Sequence, residues 1–81
     1  MSKLKRLSGK EVVRIFHHIG FETVDQRGSH IKLRRIAPNG SRQTLTVPDH
    51  AEMDTGTLRA IYRQALRYVP EGELHPHFYA E

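Results

Sequence analysis

The chain contains no cysteine and no long apolar run, and each absence excludes a class of protein. Without cysteine, neither a disulfide framework nor a thiolate metal site can support the core of this 81-residue chain. No apolar stretch approaches the length of a membrane span, and the basic amino terminus leads into no apolar segment of a signal peptide. We therefore expect a cytoplasmic protein without a membrane partner, in which one small domain buries about 60 to 65% of its unfolded surface.

Lysine and arginine are concentrated in the amino-terminal part of the chain, although the formal net charge is only +4. Residues 1–48 contain ten basic and three acidic residues, whereas residues 49–81 contain three arginines and six acidic residues. The first part therefore carries a charge of +7 and the second a charge of −3. Such a basic part predicts a polyanion partner such as a nucleic acid, and charges that only keep the protein in solution are the alternative.

A capping box predicts the start of a first helix. Ser8 and Glu11 have the S-x-x-E spacing of this box, and Gly20 predicts a left-handed end of the helix. The apolar residues that share an arc of about 100° on the helix are Val12, Ile15, Phe16 and Ile19. We expect this stripe to face the core.

Turn residues divide the next segment into three predicted strands. Gly28 allows a reversal after the first strand, Asn39-Gly40 favours a hairpin turn after the second, and Pro48 ends the third. The predicted strands are residues 21–26, 30–36 and 42–47. Their succession through hairpins predicts an antiparallel meander.

A second amphipathic helix is predicted after a loop. Asp54 or Thr55 can cap it, and Pro70 stops it after Val69. Its apolar positions are Leu58, Ile61, Tyr62, Ala65, Leu66 and Val69. A ridge along one flank of this helix consists of Arg59, Arg63 and Arg67. Such a ridge is typically solvated, although it also suits an acidic partner or phosphates.

These elements predict an α+β fold in the order α-β-β-β-α. Both helices should cover one face of a three-stranded antiparallel sheet and leave the other face open, which is the layout of double-stranded-RNA-binding domains. Residues 1–69 should form this domain. Residues 70–81 contain two prolines and one glycine, and they should form a loosely packed C-terminal tail with room for one short turn of helix.

His30 begins the second predicted strand. Side chains alternate in direction along a strand, so His30, Lys32 and Arg34 share one face while Ile31 and Leu33 share the other. An imidazole exchanges a proton near neutral pH, and lysine and arginine hold an anion. This combination predicts a face that handles phosphodiesters.

Two other kinds of site fit the sequence poorly. Ser29 and His30 are adjacent and point to opposite faces, and no G-x-S-x-G motif is present, so a serine hydrolase is disfavoured. The six histidines include no pair with the i, i+4 spacing of metal ligands on a helix. We expect no metal and no cofactor.

A ribonuclease that needs no metal is the third hypothesis. Such an enzyme needs a proton acceptor for the ribose 2′-hydroxyl, a proton donor for the departing 5′-oxygen and cations for the phosphate charge. His30 can carry the proton, and Lys32, Arg34 and Arg27 can hold phosphates. His50 is a candidate second carrier, although a structural role fits it as well. A His30 that only contacts RNA is equally compatible with the spacing.

Five short motifs occur in a fixed order within residues 7–67. They are Ser8-Gly9-Lys10-Glu11-Val12, Gly20-Phe21, Arg27-Gly28-Ser29-His30, Thr46-Val47-Pro48 followed by His50, and Gly56-Thr57-Leu58-Arg59-Ala60-Ile61. In this ordered combination the chain resembles the HicA (YcfA-type) toxins, which are small messenger-RNA interferases of bacterial toxin–antitoxin pairs.

The resemblance implies a double-stranded-RNA-binding-like fold, mRNA cleavage that halts translation, and a HicB-type antitoxin that covers the active face. The catalytic histidine of the family's G-S-H motif corresponds to His30, and Gly28 and Ser29 would shape the turn that presents it. The toxin should be a monomer alone and a hetero-oligomer with its antitoxin. Many relatives have a glycine after Gln-Ala, whereas this chain has Leu66 after Gln64-Ala65, which predicts a longer second helix.

Two alternatives to a ribonuclease remain at this point. A non-catalytic RNA-binding module would use the same basic sheet face, and its salt-sensitive RNA affinity would not distinguish it from an enzyme. A protein-interaction domain would need neither the basic sheet nor His30, and it would have negligible RNA affinity at physiological salt.

Overall fold

The computed structural model describes residues 2–81. Its elements in chain order are β1 (Lys3–Leu4), α1 (Gly9–Ile19), β2 (Glu22–Arg27), β3 (His30–Ile36), β4 (Arg42–Pro48), α2 (Thr55–Ala65), α3 (Glu71–Phe78) and β5 (Tyr79–Ala80). An antiparallel sheet has the strand order β2-β3-β4, and β1 pairs with β5 in a separate two-stranded sheet. The predicted α+β class and the three-stranded meander are therefore confirmed, while the likeness to double-stranded-RNA-binding domains stays a prediction.

Helix α1 begins and ends where its sequence signals predict. The Ser8 hydroxyl accepts a hydrogen bond from the Glu11 N–H at 3.1 Å, and the Glu11 carboxylate accepts one from the Ser8 N–H at 2.9 Å. Gly20 has a φ of +116°, the left-handed conformation that ends helices at little cost for glycine. Of the predicted stripe, Val12 and Phe16 are fully buried, and Ile15 and Ile19 are half-buried. Val13, which is not part of that stripe, is also buried.

The core lies between the helices and one face of the three-stranded sheet. The strand residues that face it are Ile31, Leu33, Leu45 and Val47, all buried. Phe21 lies immediately before β2, is 2% exposed, and packs edge-on against Phe16 with 5.7 Å between ring centroids. This alternation of buried and exposed residues along β3 and β4 confirms the predicted assignment of the two sheet faces.

Arg35 joins β3 to the end of α1 and to the turn that follows α2. Its guanidinium donates to Gln43 Oε1 at 2.7 Å, to the Ile19 carbonyl at 3.3 Å and to the Tyr68 carbonyl at 3.0 Å. The same group lies over the ring of Phe21, 4.9 Å from its centroid. Arg35 therefore holds the layers together, and its charge is not presented on the open side of the sheet.

Helix α2 begins as predicted and ends earlier than predicted. The Asp54 carboxylate accepts the Thr57 N–H at 2.7 Å, which is an N-cap bond. The helix ends at Ala65, so the predicted end at Val69 and the predicted longer helix are both wrong. The Tyr68 and Val69 N–H groups both donate to the Ala65 carbonyl, because a tighter turn brings the buried Val69 into the core. Pro70 also disfavours the α conformation at Val69, the residue before it.

The predicted loose packing of residues 70–81 is wrong. Helix α3 places Leu74 and Phe78, which are four residues apart and both fully buried, into the core. The Phe78 ring lies 5.9 Å from that of Phe16 and 5.3 Å from that of Tyr62. Strand β5 then pairs with β1 near the amino terminus. Two apolar side chains with helical spacing thus outweigh the proline at position 76.

In the part of the chain that the structure describes, residues 2–81, no helix combines the length and the apolar character needed to cross a bilayer.

Candidate functional site

The open face is the side of the β2-β3-β4 sheet that lies away from the helices. Because directly paired residues of antiparallel strands point to the same side, the register divides this face into cross-strand rows. The rows are Arg27–His30–Pro48, Asp25–Lys32–Thr46 and Glu22–Arg34–Thr44. His30 and Lys32 are exposed in this arrangement, whereas Ile31 and Leu33 between and beside them are buried.

A two-residue turn presents His30 at the start of β3. Gly28 takes a φ of +57°, while no non-glycine residue among residues 2–81 has a positive φ. A positive φ at only the first central residue is the requirement of a type II′ hairpin turn, where glycine is favoured. The Gln26 amide donates to the Gly28 carbonyl at 3.2 Å, and the Asp49 N–H donates to the Ser29 carbonyl at 2.6 Å. The turn is therefore fastened to both of its neighbouring segments.

His30 differs from most other histidines in having no polar or aromatic partner. His17 contacts the Thr23 hydroxyl at 2.9 Å, the rings of His18 and His77 lie 5.7 Å apart, and His75 stacks on Tyr79 at 4.5 Å. Within residues 2–81, the imidazoles of His30 and His50 make no hydrogen bond or ring contact of these kinds. Four histidines are thus occupied within the fold, and both candidate proton carriers keep their ring nitrogens available.

Arg27 lies directly across the ladder from His30, about 5 Å away between backbones. Its side chain forms an ion pair with Asp25, with 3.3 Å between Nε and Oδ2, and the two side chains are 88% and 48% exposed. An ion pair that is this exposed contributes little stability, so an incoming phosphate can compete with the carboxylate. Sequence reasoning missed Asp25, although its spacing of two residues from Arg27 on a strand is the signal that places both on one face.

Arg34 lies farther from His30 than the other candidate cations. Four residues along a strand separate the two by about 13 Å, whereas Lys32 lies about 7 Å from His30. Arg34 is half-buried in the row with Glu22 and Thr44, and its Nε atom is enclosed without a hydrogen-bond partner among the described residues. The structure therefore brings Arg27, His30 and Lys32 together and leaves Arg34 at the other end of the open face.

His50 lies beyond the end of β4, beside the amino terminus of α1. The Gly9 N–H donates to the His50 carbonyl at 2.8 Å, and a Cβ atom on Gly9 would come within 2.8 Å of Asp49 Cα. Only glycine permits this approach, which explains the Ser8-Gly9-Lys10 motif. Exposed surface around His50 is shared with Ser8 and Lys10. The structure thus fixes the backbone of His50 next to the row of His30, but it does not bond the two imidazoles to each other.

A metal-ligating cluster is not formed by the side chains of the described part of the chain. In residues 2–81, no group of three or more histidine or acidic side chains is arranged to hold a metal ion. The neighbouring histidines of the sequence contact different partners: His17 contacts Thr23, His18 contacts the ring of His77 edge to face, and His75 stacks on Tyr79. What the open face offers chemically is an available imidazole with a cation on either side of it.

The fold and this face define a small basic α+β domain with an open polar sheet surface. The family described as the HicA toxin of bacterial toxin–antitoxin systems matches residues 9–66, which is more than two thirds of the chain. The chain belongs to the HicA toxin family. The match extends from the start of α1 to the residue after α2, and it includes the whole open face but not β1, α3 or β5. No curated protein matches the chain significantly.

Proposed function

We propose that this toxin is an endoribonuclease that cleaves mRNA in the cytoplasm with His30 as its catalytic proton carrier, without a metal or cofactor. The observation that carries the proposal is the exposed, unpartnered imidazole of His30 with Arg27 opposite it and Lys32 beside it on one face. Residues 1–69 supply this site. Membership in a toxin family supports the proposal, because cleavage of mRNA stops translation and would account for toxicity.

The reaction begins with the ribose 2′-hydroxyl next to the scissile phosphate. Neutral His30 takes the proton of this hydroxyl while the 2′-oxygen forms a bond to phosphorus. The bond between phosphorus and the 5′-oxygen breaks, which yields a 2′,3′-cyclic phosphate and a 5′-hydroxyl end. The 5′-oxygen receives a proton either from the same imidazole, now protonated, or from His50. DNA lacks the 2′-hydroxyl and is not a substrate.

The cations of the open face bind the phosphate and stabilise the charge that develops on it. Arg27 releases Asp25 and donates to the nonbridging oxygens, and Lys32 approaches the same phosphate from the next row. Gly28 and Ser29 hold the turn that orients His30. Arg34, about 13 Å along the strand, binds another phosphate of the same RNA rather than the reacting one.

A HicB-type antitoxin is the proposed protein partner. An antitoxin that covers the open face would exclude RNA from His30 and neutralise the toxin without changing its fold. We propose that the toxin is monomeric when alone and forms a hetero-oligomer with the antitoxin. Competition between RNA and the purified antitoxin for the open face, measured by RNA binding, tests this part of the proposal.

The deciding experiment compares wild type, His30→Ala and His17→Ala on one defined RNA in EDTA. We expect wild type and His17→Ala to produce fragments that end in 2′,3′-cyclic phosphate or 3′-phosphate, and His30→Ala to produce none. His17 is a matched control because it is also an exposed histidine of the basic part but lies on α1. A His50→Ala variant distinguishes the two routes for the second proton. It should lose most of the cleavage rate if His50 supplies that proton, and it should keep the rate if His30 does.

Intact RNA with wild type, or equal cleavage by His30→Ala and wild type, would contradict the proposal. If no variant cleaves RNA and all bind it equally, the open face belongs to a non-catalytic RNA-binding module. That module is the alternative, since the same exposed cations would serve it.

A further inference from the structure

Three arginines of α2 and of the turn that follows it, defined here as the basic ridge, are not used by the proposed site. They are Arg59, Arg63 and Arg67, and all three are exposed. Arg59 and Arg63 are four residues apart on α2, which places their Cβ atoms about 6 Å apart on one flank of the helix. Arg67 lies in the turn after α2 and lines the same cleft as Arg63. Helix α2 contains no acidic residue, and no ion pair neutralises the ridge in the described part of the chain. Its charge is thus uncompensated, although residues 49–81 as a whole are acidic.

The basic ridge borders the open face across the edge of β4. Gln64, which lies between two ridge residues, accepts the Thr46 N–H at 3.2 Å. Thr46 is on the outer strand of the sheet and is paired with Lys32 in the second row of the open face. A path therefore leads from Lys32 over Thr46 and Gln64 to the cleft between Arg63 and Arg67. Cationic surface lies at both ends of this path, and no acidic residue lies on it.

We infer that the basic ridge is a second contact for the RNA backbone, to which the strand continues after it leaves the open face over the β4 edge. This inference rests on the proposed function for the identity of the RNA as ligand. Guanidinium groups match the geometry of phosphate oxygens in a bidentate manner, and several neighbouring guanidinium groups suit a chain that carries successive phosphates. Continuity with the site of His30 favours RNA over an acidic protein surface.

The test measures RNA affinity as a function of salt, in a His30→Ala background so that the RNA stays intact. Each phosphate contact to a single strand contributes about 0.7 to the slope of log affinity against log salt. Replacing the three ridge arginines by alanine should therefore lower the magnitude of the slope by about 2 for an RNA of about 12 nucleotides. An RNA of about 4 nucleotides, long enough for the open face only, should lose little affinity.

A matched control removes the same charge elsewhere. Lys3, Arg6 and Arg14 are exposed basic residues outside both the open face and the ridge, and their triple alanine variant should keep the wild-type slope. Equal slopes for the ridge variant and this control would overturn the inference. In that case a solvated helix face or an acidic protein partner would explain the ridge.

Two further comparisons keep the result independent of folding and of catalysis. If the triple variant does not fold by circular dichroism, single Arg→Gln variants should each lower the slope by about 0.7, and unchanged slopes there would equally overturn the inference. A slope effect in the His30→Ala background, together with RNA left intact by the wild type, would refute the proposed nuclease while supporting the ridge. RNA cleavage by the wild type without a slope effect of the ridge variants would support the nuclease and overturn the ridge inference.

Discussion

Replacing Phe78 by alanine should remove a large part of the stability of this protein, although Phe78 lies outside the segment that matches the family. The Phe78 side chain is 0% exposed and contacts the rings of Phe16 and Tyr62, at 5.9 and 5.3 Å between centroids. Truncating a buried phenylalanine costs about 3 to 5 kcal/mol, because transfer free energy is lost and a cavity is left. The free energy of unfolding of a domain of this size is about 4 to 12 kcal/mol.

Urea denaturation followed by circular dichroism measures this effect. We expect a loss of about 4 kcal/mol in the free energy of unfolding, and a decrease in Tm of at least about 15 °C, since each kcal/mol shifts the Tm of such a domain by about 4 to 8 °C. Glu73→Ala is the matched control, because Glu73 lies on the same helix but is exposed, and such changes stay within about 0.5 kcal/mol. A loss below about 1 kcal/mol for Phe78→Ala would refute the packing of α3 into the core.

Three further predictions concern the turn, the helix contact and the caps. Gly28→Ala should lower the free energy of unfolding by about 1 kcal/mol, because alanine at a φ of +57° is strained although the space around it is open. Gly28→Asn should lower it less, since asparagine tolerates a positive φ better. Chemical denaturation compares the two variants, and equal losses would contradict the assignment to backbone strain. Gly9→Ala should cost about 1 to 3 kcal/mol in the same assay, since its Cβ meets the backbone of residues 48–50, and a neutral result would contradict that approach. Hydrogen bonds from the backbone and the side chain of Thr57 lower the pKa of the Asp54 carboxyl, so the stabilisation by this cap is present at neutral pH and is lost as the pH falls through that lowered pKa. Acid titration of Asp54→Asn should show less loss of stability than wild type, and parallel curves would refute this.

Much of the fold follows from local signals that a sequence displays directly. The capping box at Ser8, the left-handed glycine at position 20 and the Asp54 cap set helix starts and stops through bonds within one turn. Strand β3 has the predicted bounds, and β4 includes Pro48 as its last paired residue. Strand β2 is shifted by one residue from its prediction, and it also contains a bulge between Thr23 and Asp25. A bulge depends on how two strands meet, and one strand alone does not reveal it.

Distant contacts explain the errors. Helix α2 ends before Val69 partly because Arg35, thirty-three residues earlier, takes the Tyr68 carbonyl. Residues 70–81 have a weak helical pattern of only two buried side chains, and they become ordered because Phe16 and Tyr62 provide the surface they cover. Pairing of β5 with β1 joins the two ends of the chain, which is the largest sequence separation available.

The candidate site also has features that the sequence predicts and features that only the tertiary structure decides. The sequence by itself determined that His30, Lys32 and Arg34 share a face, because the two-residue period of a strand is a local property. Only the tertiary structure decided that Arg27 lies opposite His30 with Asp25 as a competitor, since the hairpin register sets this. It also decided that four histidines find partners elsewhere and that His50 lies beside α1. The contacts of His17 with Thr23 and of His75 with Tyr79 span only six and four residues. The contacts of His18 with His77 and of His50 with Gly9 join residues far apart in the chain, and no local rule of spacing specifies them.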